Sequence, residues 1–211
     1  MYIPKSFREK DKKKLNSFIE RYNFAVLFSQ KEGLPYATHL PFMIDSSRGE
    51  QGTLIAHFAR ANKHWRLIDE NQQVLVIFQG PHSYITPHWY QQKESVPTWN
   101  YAAIHIYGKA KLIYDPERLR EMVTKLTDLQ EKQTNSQWDQ TNIEPGMESN
   151  LKAIIGIEIP IDRIEGKYKF NQNRSREDQE GVCKAMLKSD DTSKQECGHI
   201  MREHLNKMKE K

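Results

Sequence analysis

Apolar positions along this chain fall into short runs of period two, with a few stretches of period 3.6 between and after them. Leu15, Phe18, Ile19 and Tyr22 repeat at i, i+3, i+4 and i+7, which predicts an amphipathic helix over Asp11 to Tyr22. Phe24 to Ser29 and Tyr36 to Ile44 read as strands around a turn at Lys31 to Pro35, hence a hairpin. A polar cluster from Asp45 to Gly52 leads to a third strand, Thr53 to Phe58. Ala61 to Asn71 carries an imperfect helical signal. Val74 to Phe78 is a continuous apolar run, as a strand covered on both faces shows. Gly80-Pro81 is expected to break it before Ser83 to Thr86, and Gln91 to Ser95 is a polar loop. Trp99 to Tyr114 is one long strand with a bend or bulge at Gly108.

Asp115-Pro116 marks a helix start, and Leu119, Met122, Val123, Leu126 and Leu129 form its apolar stripe until it fades near Glu131. Gln133 to Ser149 reads as a polar loop anchored by Trp138, and Ala153 to Ile164 as a last strand interrupted by Pro160. Ser175 with Asp178 fits a capping box, with Val182, Ala185 and Met186 facing inward. After a break at Ser189 to Ser193, Cys197, Ile200, Met201, His204, Leu205 and Met208 repeat at helical spacing, a packing face or a dimer contact. Six or so short strands with peripheral helices and no strand-helix alternation predict a mainly β, α+β fold: a β-barrel with added helices. Residues 1–188 are expected to form one domain and residues 189–211 a helical tail.

The 211 residues suffice for a core without disulfides, and a 37% hydrophobic share is low but adequate. A net charge of +4 allows phosphate-bearing partners without demanding nucleic acid. Two cysteines, Cys183 and Cys197, offer no C-x-x-C pair, which favours a reducing compartment. With no signal-peptide pattern and no long apolar run, the expectation is a soluble cytoplasmic protein that does not span a membrane. No G-x-G-x-x-G, G-x-x-x-x-G-K-[ST], G-x-S-x-G or H-E-x-x-H occurs, so Rossmann, Walker, hydrolase-elbow and zincin chemistry have no local support.

The chemistry concentrates in Ala56 to Tyr101, which holds four of the eight histidines and three of the four tryptophans. Ring side chains with polar tips suit a flat, conjugated, polar ligand. Three groups stand out. Arg60, Asn62, Lys63 and His64 sit where a strand ends and a helical signal begins, a seat for phosphate or an ordinary cap with surface cations. Gln172, Asn173 and Arg174 precede a second helix start, as donors to a ligand or as a satisfied cap. Trp99, Asn100 and Tyr101, after Val96-Pro97-Thr98 and with Gln79 to His82, supply stacking surfaces or simply core rings.

Together MYIPKSF, HFARANKHW, IFQGPHSYITPHWY, VPTWNYAAIHIYG and GKYKFNQNRSREDQEGV resemble the PaiB family of FMN-binding negative transcriptional regulators, over Met1 to about Leu187. The resemblance implies a split β-barrel of the pyridoxamine-phosphate-oxidase type, a homodimer, and FMN. It also implies repression of degradative-enzyme (protease) synthesis and of sporulation genes, with DNA or the transcription machinery as partner. By position it places the flavin phosphate near Arg60, Asn62, Lys63 and His64 with Thr38, His39 and Leu40 alongside. It places Trp99, Asn100 and Tyr101 near the ring, and Gln172, Asn173 and Arg174 reaching the cofactor from the partner chain. Lys63 stands where the family pattern has Pro, and Phe170-Asn171 where it has Leu-Ser. No DNA-reading signature is visible. A flavin reductase or oxidase, or a haem-binding split barrel, are the alternatives.

Overall fold

Residues 1–92, 95–134 and 146–207 are described by a computed structural model. They form β1 (Arg8–Glu9), α1 (Lys12–Arg21), β2 (Phe24–Lys31), β3 (Leu34–Pro41), β4 (Met43–Asp45), β5 (Thr53–Ala59), β6 (Gln73–Ile85), β7 (Thr98–Lys109), β8 (Lys111–Ile113), α2 (Pro116–Thr134), α3 (Met147–Lys152), β9 (Ile154–Pro160), β10 (Arg163–Lys169), α4 (Arg176–Leu187) and α5 (Thr192–Lys207). The chain divides into two compact units. The first comprises Lys12–Phe78 and His105–Ile164, and the second Met1–Asp11, Gln79–Ile104 and Glu165–Lys211. Among the described residues no helix is long and apolar enough to cross a membrane.

In the first unit β2 and β3 pair antiparallel from Phe24↔Pro41 to Lys31↔Leu34. Glu32 and Gly33, with φ of 52° and 81°, form the two-residue turn between them. Positive φ at both positions matches the right-handed twist of the strands, and glycine meets it without steric cost. Val26, Leu27 and Phe28 pair with Ile77, Val76 and Leu75 of β6. A four-stranded sheet, β4-β5-β9-β8, lies in the same unit. Ile55, Leu119, Met122, Met147 and Leu151 form a buried cluster joining β5 to α2 and α3.

Several expected boundaries shift. The strand expected over Tyr36 to Ile44 is cut at Phe42, which is fully buried and whose amide bonds the Asn23 carbonyl at 2.8 Å. Gly80-Pro81 does not break β6, because proline's φ is compatible with extended backbone and only its missing donor is at stake. The helical signal at Ala61 to Asn71 yields only a five-residue 3-10 turn, Lys63–Leu67. Asp115 caps α2 as expected, its Oδ1 accepting from the Arg118 amide at 2.8 Å. Met147–Lys152 is a helix where a loop was expected, and Trp138 lies outside the described residues. The strand expected over Ala153 to Ile164 becomes two, divided after Pro160, and the second runs on to Lys169.

Gly108 sits inside β7, where a Cβ would come within 2.2 Å of the Pro160 carbonyl oxygen. A methyl group there collides with backbone, which cannot step aside as a flexible side chain would. Glu158 on β9 is buried and receives both Nη atoms of Arg48, at 2.9 and 2.5 Å, and Nε and Nη2 of Arg118, at 3.0 and 2.6 Å. Arg48 first, and Arg118 with it, hold the Glu158 carboxyl down to about 2 against the burial that would raise it.

In the second unit β1 pairs antiparallel with β10, and the strand order is β1-β10-β7-β6. Helices α4 and α5 pack on each other. Val182 and Met186 are buried as expected, and Cys197, Met201 and Leu205 form the buried stripe of α5. Burial pushes the Cys197 thiol up to about 12, so it stays protonated and inert. Met208 lies outside the described residues.

Two outcomes follow. Gly108→Ala should lower stability by about 2 kcal/mol or more in denaturant unfolding, whereas a surface glycine such as Gly33 changed to Asn should cost little. A folded carboxyl held below its ordinary value near 4.5 stabilises the protein above that pH and loses the contribution as pH falls toward about 2. Acid unfolding monitored by circular dichroism should therefore steepen in that window, and Glu158→Gln should flatten it, with a loss at neutral pH of about 3 kcal/mol before solvent screening of the half-exposed Arg48 reduces it.

Candidate functional site

The first unit gathers Thr38, Asn62 and His64 around one imidazole. β5 ends at Ala59, and Asn62 caps the 3-10 turn with Oδ1 accepting from the His64 amide at 2.9 Å. This turns the His64 ring inward. Its Nε2 lies 2.8 Å from Ser29 Oγ and its Nδ1 2.7 Å from Thr38 Oγ1. Asn62 Nδ2 donates to the same Thr38 hydroxyl at 3.2 Å. Phe58 meets the imidazole edge-on at 5.6 Å and Tyr36 at a tilt, 6.2 Å away. Burial lowers the His64 pKa, so the neutral ring is favoured, with one nitrogen donating and the other accepting.

The neighbours divide differently. Arg60 is exposed, but its guanidinium donates to the Lys152 carbonyl at 2.6 Å and the Ile154 carbonyl at 3.2 Å, and its own carbonyl accepts from Trp65 Nε1 at 2.9 Å. It ties the turn to the α3–β9 corner. Lys63 projects into solvent from the start of the turn. His39 is exposed and stacks on Phe24 at 6.0 Å, while Leu40 is buried. Thr38, Asn62 and His64 are thus brought together, with the exposed Lys63 beside them.

In the second unit the pleat of β7 separates the expected residues. Asn100 is fully buried and donates to Asn171 Oδ1 at 2.5 Å. Asn171, at φ 62°, passes the chain on by donating to the Tyr90 hydroxyl at 2.9 Å. The Arg174 guanidinium lies over the Tyr90 ring, 4.9 Å from its centre. Gln172 serves its own turn: Oε1 accepts from the Phe170 amide at 2.7 Å, and Nε2 donates to the Tyr168 carbonyl at 2.6 Å. Asn173 is exposed. Ser175 caps α4, accepting from the Asp178 amide at 3.2 Å. The Asp178 carboxylate does not complete a box. It turns to the Gln91 and Gln92 amides at 2.8 and 3.3 Å, and Gly181 lets the Trp89 carbonyl approach where a Cβ would stand 2.4 Å away.

Trp99 and Tyr101 point to the opposite side of β7 from Asn100. Trp99 is 53% exposed and has the Tyr84 ring edge-on at 5.9 Å and the His82 ring at 6.3 Å. On β10 the Lys167 ammonium stands 5.0 Å from the Tyr101 ring centre and 5.6 Å from that of Tyr2, and donates to the Tyr2 carbonyl at 3.1 Å. Lys169 donates to the Thr98 hydroxyl and, at 2.7 Å, to the Trp99 carbonyl. The sequence reading gave no site role to Ser29, Tyr90, Asn171, Asp178, Lys167 and Lys169. The alternation of Lys167, Tyr168 and Lys169 was the available signal, since a strand there puts both lysines on one face. Among the described residues no group of three or more His, Cys, Asp or Glu side chains could hold a metal ion.

The family described as "Putative FMN-binding domain" matches residues 1–163. The chain belongs to this PaiB-like family. "Protease synthase and sporulation protein PAI 2" of Bacillus subtilis is 34% identical to it over 208 residues, 98% of this chain and 99% of that protein. Among solved structures, a "putative 5-nitroimidazole antibiotic resistance protein" from Bacteroides thetaiotaomicron superposes with a TM-score of 0.56 at 18% identity, covering 76% of this chain and 85% of the other. An FAD and haem binding protein from Mycobacterium smegmatis gives 0.58 at 14% identity, covering 77% and 73%. At these identities the likeness concerns the fold, which is the α+β split-barrel class of pyridoxamine-phosphate-oxidase-like proteins.

His64→Phe keeps the ring volume but leaves the buried Ser29 hydroxyl without its partner, which should cost about 1–3 kcal/mol in urea unfolding. A lowered histidine pKa stabilises the fold above its ordinary value near 6.5 and loses that contribution as pH falls. The variant should therefore show a weaker loss of stability below pH 6.5 than the parent, with the remaining slope set by His57, which burial also lowers.

Proposed function

We propose that this protein binds FMN non-covalently as a homodimer and acts as a negative regulator of protease synthesis and sporulation genes. The observation that carries the cofactor reading is the face around Trp99, an indole half open to solvent with Tyr84 and His82 set around it. A flat conjugated ring has a stacking surface there and polar edges beside it. As a separate candidate contact within the first unit alone, exposed Lys63 would offer phosphate an ammonium next to the turn that Asn62 and His64 make rigid. Arg60 holds two backbone carbonyls, so Lys63 is the better candidate for that contact. When bound, FMN would supply hydride or electron chemistry, and the chain's own residues would orient and retain it. The regulatory part rests on family membership and on the name of the Bacillus subtilis relative.

Purified protein should show a flavin absorption band that denaturation releases, and a Soret band in its place would assign haem. Protein that is colourless and takes up no added FMN defeats the cofactor reading. Lys63→Ala should weaken FMN by about three- to tenfold and riboflavin hardly at all, because the lost contact is to phosphate. Equal weakening of both ligands would place the phosphate elsewhere. A gel shift with operator fragments tests the regulatory part, and steady NAD(P)H turnover with no DNA retention favours an oxidoreductase.

A further inference from the structure

The Trp99 face carries two side-chain ammonium groups, those of Lys167 and Lys169, while Glu165, two residues before Lys167 on the same side of β10, is engaged by the Met1 ammonium. Because side chains alternate along a strand, Trp99 and Tyr101 share one side of β7, and Lys167 and Lys169 share one side of β10. The Lys167 ammonium over the Tyr101 ring shows that these are the same side. His82 and Tyr84, two apart on β6, complete it through their contacts with Trp99. The opposite side of β7 is closed, with Asn100 bonded to Asn171 and in contact with the Met201 sulfur.

Two ammonium groups on this face stand two residues apart. Lys167 is 8% exposed. It is held by a carbonyl oxygen and by the faces of Tyr2 and Tyr101. Lys169 is held by a hydroxyl and a carbonyl oxygen. Neutral oxygens orient an ammonium without cancelling its charge, and rings cancel it only in part. Burial, and then the neighbouring Lys167 charge, push the Lys169 pKa down, a sign that the pair is held together at a cost. An anion at the ring face would relieve that repulsion.

Resting on the FMN reading, we infer that Lys169, with Lys167 behind it, faces the ring of the bound flavin and makes this face select the reduced, anionic flavin over the oxidised, neutral one. Oxidised FMN brings no charge in its ring. Two-electron reduction with uptake of one proton, at N5, gives the anionic reduced flavin, whose negative charge on the N1–C2 carbonyl edge a cation would stabilise. The stacking surface serves both states equally and the ammonium only one.

Full-length protein titrated with FMN, oxidised in air and dithionite-reduced under anaerobic conditions, tests this by tryptophan quenching. The parent should bind reduced FMN about tenfold more tightly than oxidised FMN, equivalent to raising the bound flavin's midpoint potential by about 30 mV. Lys169→Gln should abolish most of that preference, and Lys169→Arg should keep it. A parent that binds both states equally, or a Lys169→Gln protein with the preference intact, overturns the inference and leaves FMN binding standing. A parent that takes up neither state overturns both.

Discussion

Period two along β7 is the constraint from which the chemistry of the second unit follows. One backbone stretch, Thr98 to Tyr101, must serve a closed side and an open side at once. Asn100 points into the closed side, where an amide survives burial only with partners, and Asn171 supplies one. Asn171 can do so because it adopts a left-handed backbone that asparagine tolerates better than most residues. Trp99 and Tyr101 are thereby committed to the other side, together with the lysines of β10. Exchange of the two sides of β7 would expose the Asn100 amide and bury the Trp99 indole, so polar as well as apolar groups set which way β7 faces.

The first unit solves a related problem with an imidazole. The turn after β5 has to leave the strand sharply, and Asn62 secures that exit by capping the His64 amide. The ring is then enclosed by hydroxyls from β2 and β3, so one side chain links the hairpin to the turn. Arg60 does the corresponding work toward α3 and β9 through carbonyl oxygens. These side chains are chemically capable of ligand binding, yet most of their hydrogen bonds go to the protein itself. Rigidity at this turn is carried by Asn62, His64 and Arg60, while Lys63 is exposed beside them.

Much of this was legible in the residues. The stripe of α1, the hairpin of β2 and β3, the Asp115 cap and the Ser175 cap were all read from local pattern, because helix stripes, caps and tight turns depend on residues close in sequence. The strand from Arg163 to Lys169 was missed. Its residues sit between a proline and a cap and are largely polar, so the apolar pattern had nothing to report. Gly108 was read as a bend or bulge, and the structure adds a reason for glycine there, the Pro160 carbonyl, more than fifty residues away and invisible to any local rule.

Composition and spacing predicted the α+β class and the three residue groups worth examining, since ring-rich turns and helix starts are written in adjacent positions, and the resemblance of five segments pointed to the family. Tertiary structure decided what each member does. It committed Gln172 to its own turn and Arg60 to carbonyl oxygens, paired Asn100 with Asn171 across 71 positions, and brought Lys167 and Lys169 beside Trp99 and Tyr101. The physical reason is that a side chain's hydrogen-bonding capacity is a local property. Whether that capacity is already spent depends on which distant backbone the fold brings within 3 Å.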